Sequence, residues 1–166
     1  LAAILEDLVG ALKHHGIRKI VLLVAHGGNW IVKPTLREIN LDRKGVHVIS
    51  STPSGLMAEQ GEYAELHAGG RETSLIMYLH PELVKSDQTR PDFAPTQGRE
   101  FFDYTGIAGV SPTGIWGAPS KASAEEGEKL LQEAARQAVD QIKQTFAEIE
   151  RLEAEREACN RGQKAV

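Results

Sequence analysis

The chain has 166 residues, 41% hydrophobic and 25% charged, with a formal net charge of -4. That balance fits one globular domain with a sizeable core, and the lack of any basic block argues against a nucleic-acid partner. No apolar stretch approaches the roughly 20 residues of a membrane helix, no charged-then-apolar leader opens the chain, and the lone Cys159 can form no internal disulfide, so a cytoplasmic protein is expected.

In chain order, Leu1 to Leu12 reads as a helix, with Ile4, Leu5, Leu8, Val9 and Leu12 on one face. Nothing leads into it, which predicts that the domain opens in mid-pattern. Gly16 is placed to end this helix after Lys13-His14-His15, whose side chains suit the negative end of a helix dipole. Ile17 to Val24 is a nearly continuous apolar run, the pattern of a strand buried in a parallel sheet. A helix is predicted between Asn29 and Ile39, then a short strand at Val46 to Ile49 containing His47. Ser51 to Leu66 carries loop signals. Arg71 to Leu79 reads as a helix with Leu75, Ile76 and Leu79 inward, stopped at His80 by Pro81.

Residues 85–120 are rich in Pro, Gly and Asp, with short extended pieces expected around Phe101-Phe102 and Ile107 to Val110. The last helix begins at a capping box, Ser123 with Glu126, and continues through Leu131, Ala135, Ala138, Ile142, Phe146 and Ile149. Beyond Glu150 the charge density rises, and a solvated or frayed tail over 151–166 is expected after a domain spanning 1–150. The order of elements indicates an α/β fold with a mainly parallel sheet.

Two stretches carry candidate chemistry. In "VAHGGNW", residues 24–30, the first strand delivers His26 to its carboxyl end, where open α/β sheets bind ligands. Gly27 and Gly28 let a ligand approach, Asn29 can cap the next helix, and imidazole is the commonest metal ligand. A phosphate cradle fits poorly, because neither G-x-G-x-x-G nor G-x-x-x-x-G-K-[ST] is present. In "LHAGGRETS", residues 66–74, His67 precedes Glu72 in the first turn of a helix, where the positive helix end keeps a carboxylate ionised. Neutral imidazole and ionised carboxylate are donors that Zn²⁺ and Mn²⁺ accept.

Together with "GIWGAPSKASAEEGEKLL", residues 114–131, these stretches resemble the creatininase family of metal-dependent amidohydrolases, through "HGGN", "HAG-x-x-ETS" and "WG-x-P-x-x-A-x-x-E-x-G" in this order. The resemblance implies a three-layer α/β/α sandwich and a dinuclear site for Zn²⁺, Mn²⁺ or Fe²⁺. It also implies hydrolysis of an amide C–N bond in a small, often cyclic molecule, and a homo-oligomer, often a hexamer. By position, His26 corresponds to a metal-ligand histidine, His67 to the histidine that contacts substrate and moves protons, and Glu72 to a carboxylate at the metal or beside it. Tyr63 and Trp116 are candidates for the substrate pocket, with burial the first expectation for the tryptophan.

The family also carries an N-terminal segment whose glutamate, histidine and aspartate hold the metals, and this chain begins after it, so an N-terminally incomplete fold is expected. Val24-Ala25 stands where Asn-Gly is usual, Gly28 where some members place a metal-binding glutamate, and Gly70 where a glutamate is frequent. One histidine with one carboxylate falls short of the three protein ligands of a catalytic zinc. The expectation is weak metal binding and little hydrolase activity from this chain alone. The alternatives are a non-catalytic binding or assembly module that kept the fold, and a nucleotide-binding α/β domain.

Overall fold

The computed structural model describes residues 1–42, 44–53, 65–85 and 91–163, and the side chains among them except those of 162 and 163. The chain divides into two compact units, one of Leu1–Thr52 with Gln137–Val166, the other of Pro53–Arg136.

The first unit is built on a β-α-β core. Helix α1 (Ala2–His14) buries Leu5 and Val9 and ends at Gly16, whose φ of +85° is the left-handed conformation that lets the chain reverse. Strand β1 (Lys19–Leu23), helix α2 (Val32–Asp42) and strand β2 (His47–Ser51) follow. The strands pair in parallel, from Lys19 opposite His47 to Leu23 opposite Ser51, as the apolar run after Gly16 predicted. Leu5, Val9, Ile20, Val32, Leu36, Ile39, Val46 and Val48 form one apolar cluster. The Asn40 amide closes the outer side of β2: its Nδ2 donates to the Val48 carbonyl and its Oδ1 accepts the Val48 N–H, both at 2.8 Å. Two backbone groups on a strand edge that pairs with no other strand among the described residues are thereby satisfied.

Helix α6 (Ala124–Gln163) spans 40 residues and lies in both units. In the first unit it buries Ala138 and Phe146. Lys19 ion-pairs with Glu150 and lies 5.4 Å from the Phe146 ring centre, and His47 Nε2 is 3.0 Å from Glu153 Oε1. These exposed pairs add little, so apolar burial carries the docking of this helix. Past Glu150 the helix continues to Gln163 as a solvated face, with exposed side chains over 151–161, laced by Arg151 to Glu148 and Glu155 and by Arg161 to Glu157.

The second unit holds α3 (Gly70–Leu79), two short helices, α4 (Glu100–Thr105) and α5 (Ile107–Val110), and the start of α6. Two isolated antiparallel bridges, His67 with Trp116 and Phe93 with Gly117, place 115–117 between two other segments. Ile115, Trp116, Ala118, Val110, Leu130 and Ala134 are buried.

Two expectations are corrected here. Phe101-Phe102 and Ile107 to Val110 are helical, not extended: Thr105 Oγ1 donates to the Phe101 carbonyl at 2.9 Å, and Gly106, at φ +67°, separates two short helices. β-forming side chains are a weak guide where local i to i+4 bonds close a turn. Nor does α3 bury its large residues, Leu75 alone of the three expected being half-buried. Gly70 and Ser74 are buried, whereas Ile76 is 40% and Leu79 48% exposed. The small face wins because α6 crosses it at Gly127, where an added Cβ would stand 2.0 Å from the Ser74 carbonyl oxygen. The last-helix stripe is likewise shifted at two positions, Leu130 and Ala134 being buried rather than Leu131 and Ala135.

Asp92 clamps the turn that precedes α6. Its Oδ2 accepts from the Ser120 hydroxyl at 2.6 Å and its Oδ1 from the Ser120 N–H at 2.9 Å. These two bonds, the hydroxyl first, hold the carboxyl below the 3.8 of an unperturbed aspartate. The sign follows: a folded-state pKa lowered below the unfolded one contributes stability in full above 3.8, and that contribution is lost as pH falls through the folded value. An NMR titration of the Asp92 carboxyl is expected to give a midpoint below that of Ser120→Ala, with the variant moving toward 3.8. Equal midpoints would contradict the clamp.

Candidate functional site

Strand β1 hands over to the first motif as the apolar run ends. Val24 N–H still donates to the Ser51 carbonyl at 2.8 Å, and His26, at φ -142° and ψ 135°, is the last extended residue before a 3-10 turn at Gly27–Asn29. The His26 side chain caps that turn: Nδ1 accepts the Gly28 N–H at 3.0 Å. A Cβ at Gly28 would lie 2.9 Å from Nδ1, so a side chain there would press on the imidazole in this cap. The cap also fixes the tautomer. A neutral imidazole that accepts at Nδ1 carries its proton on Nε2, which makes Nε2 a donor.

The second motif is a strained loop with its ends tied down. Leu66 and His67 both donate backbone N–H to the Trp116 carbonyl, at 2.8 and 3.0 Å, and Trp116 N–H returns to the His67 carbonyl at 2.8 Å. Two residues therefore face one, a bulged pairing of the kind that re-aims a side chain. The next residue, Ala68, has φ +50°, a left-handed conformation that costs a non-glycine residue about 1–2 kcal/mol. Glu72, in the first turn of α3, accepts the Ala68 N–H at Oε2, 2.5 Å away. Sequence placed this carboxylate in the first helical turn; the structure adds that it holds the backbone directly after His67.

Glu65 was not singled out from the sequence. Its Oε1 accepts the Ala118 N–H at 2.8 Å and its Oε2 faces the Arg71 N–H at 3.3 Å, so one carboxylate ties the strand after Trp116 to the start of α3. Only its sign and its place two residues before His67 could have pointed to it.

His67 is half-buried, and among the described residues no hydrogen bond or ion pair engages its ring. Glu72 is exposed, and Trp116 is buried at 6% exposure. Tyr63 lies outside the described residues. His26 belongs to the first unit, while His67, Glu72 and Trp116 belong to the second, where backbone pairing joins His67 to Trp116 and the Glu72 carboxylate holds the neighbouring Ala68 N–H.

The donors do not fit a metal cage by themselves. Among the described residues no group of three His, Cys, Asp or Glu side chains is arranged to hold an ion. His26 Nδ1 accepts the Gly28 N–H, and Glu72 Oε2 accepts the Ala68 N–H. No described helix is long and apolar enough to cross a membrane.

Comparison with known proteins bears on this arrangement. A family model for creatininase, described as creatinine amidohydrolase, matches residues 1–142. The mycofactocin precursor peptide peptidase of Mycolicibacterium smegmatis is 32% identical over 130 residues, covering 75% of this chain and 49% of that protein. The protein of the same name from Mycobacterium ulcerans is 26% identical over 132 residues, covering 75% and 48%. The chain thus spans about half the length of these relatives. Among solved structures, a Bacteroides fragilis protein assigned as a creatinine amidohydrolase superposes with a TM-score of 0.68 at 26% identity, over 85% of this chain and 59% of that one. A structure named as the Mn form of creatininase gives 0.68 at 24% identity, over 87% and 63%, which shows the shared α/β fold.

Proposed function

This chain belongs to the creatininase family, and on that footing we propose that it carries the proton-handling part of an amidohydrolase site, with His67 as the residue that protonates the departing nitrogen. The observation that carries the proposal is the His67 loop itself: a bulged pairing with Trp116 on one side, a left-handed Ala68 held by Glu72 on the other, and a ring that nothing described engages. Backbone strain maintained by dedicated hydrogen bonds is a common feature of functional sites.

The chemistry needs such a residue. When water adds to an amide carbonyl and the C–N bond breaks, the nitrogen is a poor leaving group unless it takes up a proton as it departs. Imidazole, with an ordinary pKa near ~6.5, donates that proton near neutral pH. The products are an acid and an amine. We infer a small amide as substrate. A peptide amide is the second form of the same reading, favoured by the name that the two mycobacterial relatives carry.

A divalent ion supplies the activated water in metal-dependent hydrolases. The donors described here are too few to hold one firmly, so the chain is expected to bind Zn²⁺ and Mn²⁺ weakly. Calorimetric titration of the 166-residue chain with each metal is expected to give no Kd tighter than about 10 μM. Tight two-site binding would overturn that expectation. The hydrolase reading is checked separately, with creatinine and a short peptide as probes at saturating Mn²⁺. His67→Ala is expected to lose roughly 100-fold or more of the turnover seen with the unaltered chain. Equal turnover in the two proteins removes His67 from the reaction. Absence of turnover in both, with weak metal binding, favours the reading in which the chain is a non-catalytic module, as the capped His26 already does. Assembly as a homo-oligomer in the cytoplasm belongs to the same proposal, with light scattering as its check.

A further inference from the structure

We propose that Glu65 is the positioning residue for His67, acting through backbone on both sides of the loop; this rests on the reading of His67 as the proton donor. Between Glu65 and Arg71 the chain makes a bulge, a left-handed residue and a helix start in quick succession. Each is a place where register can slip. Glu65 spans them all. Its Oε1 takes the N–H of Ala118, two residues beyond the Trp116 that pairs with His67, and its Oε2 takes the N–H of Arg71 in the first turn of α3. His67 therefore sits inside a loop whose two supports are joined through one carboxylate.

The glycines around this carboxylate support the same role. A Cβ on Gly69 would fall 1.9 Å from Glu65 Oε2, and one on Gly117 would fall 2.9 Å from the same oxygen and 2.8 Å from the Gly69 Cα. A Cβ on Gly70 would lie 2.7 Å from the Ala118 carbonyl oxygen. Three missing side chains thus leave room for one carboxylate and for the close approach of two backbones. A carboxylate suits the position better than an amide. Both of its oxygens accept, whereas glutamine would turn an NH₂ toward one of the two backbone donors.

The test compares Glu65→Gln, Glu65→Asp and Gly69→Ala with the unaltered chain. Amide hydrogen exchange is followed at Arg71, His67, Trp116 and Ala118, and the His67 ring is titrated by NMR. Glu65→Gln is expected to raise exchange at these four amides by about tenfold or more, with exchange in α1 and β2 unchanged, and to shift the His67 midpoint. Glu65→Asp, which keeps both acceptors on a shorter stem, is expected to restore part of the protection. Gly69→Ala should reproduce the Glu65→Gln pattern by displacing the carboxylate, and the double variant should be no worse than either alone. Where hydrolysis is measurable, kcat is expected to fall by about tenfold with KM unchanged.

Exchange at the four amides within twofold of the unaltered chain, an unmoved His67 midpoint, or additive effects of the two substitutions would each overturn the proposal. Absence of turnover in the unaltered chain would count against the hydrolase reading, while the exchange and titration results would still decide the role of Glu65.

Discussion

Gly127→Ala is expected to destabilise the second unit by about 3 kcal/mol, although alanine is the better helix former. In a solvated helix this substitution gains up to about 1 kcal/mol. Here the new methyl would meet the Ser74 carbonyl oxygen at 2.0 Å, its carbon at 2.5 Å and the Tyr78 Cβ at 3.0 Å. The first two are backbone atoms that no rotamer change can move. Helices α3 and α6 would have to separate by more than about 1 Å, and small-to-large substitutions in packed interiors cost about 1–3 kcal/mol or more.

Separation would also lengthen the bond from Ser123 N–H to Ser74 Oγ, now 3.1 Å, in which Ser74 spends its acceptor while its hydroxyl donates to the Gly70 carbonyl at 2.6 Å. Urea denaturation followed by circular dichroism checks this. Gly27→Ala is the control, because a Cβ there meets nothing within 4 Å, and it is expected to stay within about 0.5 kcal/mol. A Gly127→Ala protein as stable as the control would show that the helices do not cross so closely.

The same contact explains what was and was not legible in the sequence. The β1 run and the last helix were readable as elements, by apolar continuity in one case and by spacing in the other, although within β1 only Ile20 is buried and Leu23 is 63% exposed. Helix α3 was readable as a helix, but its buried face was not. Large apolar residues announce an inward face, whereas the buried face of α3, Gly70 and Ser74, is met at Ser74 by a distant glycine, Gly127, that lacks a side chain. The pairing is visible only in three dimensions.

The candidate site divides in a similar way. His67 and Glu72 could be picked out because chemical type and helix position are sequence properties. The acceptor role of Glu72 toward Ala68 could not, since a left-handed alanine leaves no mark on composition. Glu65 escaped notice because its partners are the backbone N–H groups of Ala118 and Arg71, which every residue but proline possesses. For His26 the sequence places an imidazole at the end of β1, yet whether the ring reaches outward or folds back over Gly28 depends on one torsion. At Gly28 the missing side chain also leaves room for the His26 ring, while a Cβ at Gly27 would meet nothing within 4 Å.

Trp116→Ala is expected to have the larger effect on stability, about 3–5 kcal/mol, as for other buried aromatic truncations. The side chain is 6% exposed, and Ile115 and Ala118 on either side along the chain are also buried, so its removal opens a cavity in this part of the core. The backbone of the same residue receives Leu66 and His67 and returns a bond to His67, so loosening this strand also loosens the proposed proton donor. Trp116→Phe separates the two consequences. It keeps an aromatic body in the cavity and is expected to cost under about 2 kcal/mol, and because the bridge to His67 is made by backbone alone, protection of the His67 amide should survive. Unfolding is best followed by circular dichroism, since Trp30 is 75% exposed and would report on the other unit in a fluorescence experiment. An unfolding midpoint for Trp116→Ala equal to that of the unaltered chain would remove the tryptophan from the core and return it to the substrate pocket. In that case Trp116→Phe should raise KM without moving the midpoint.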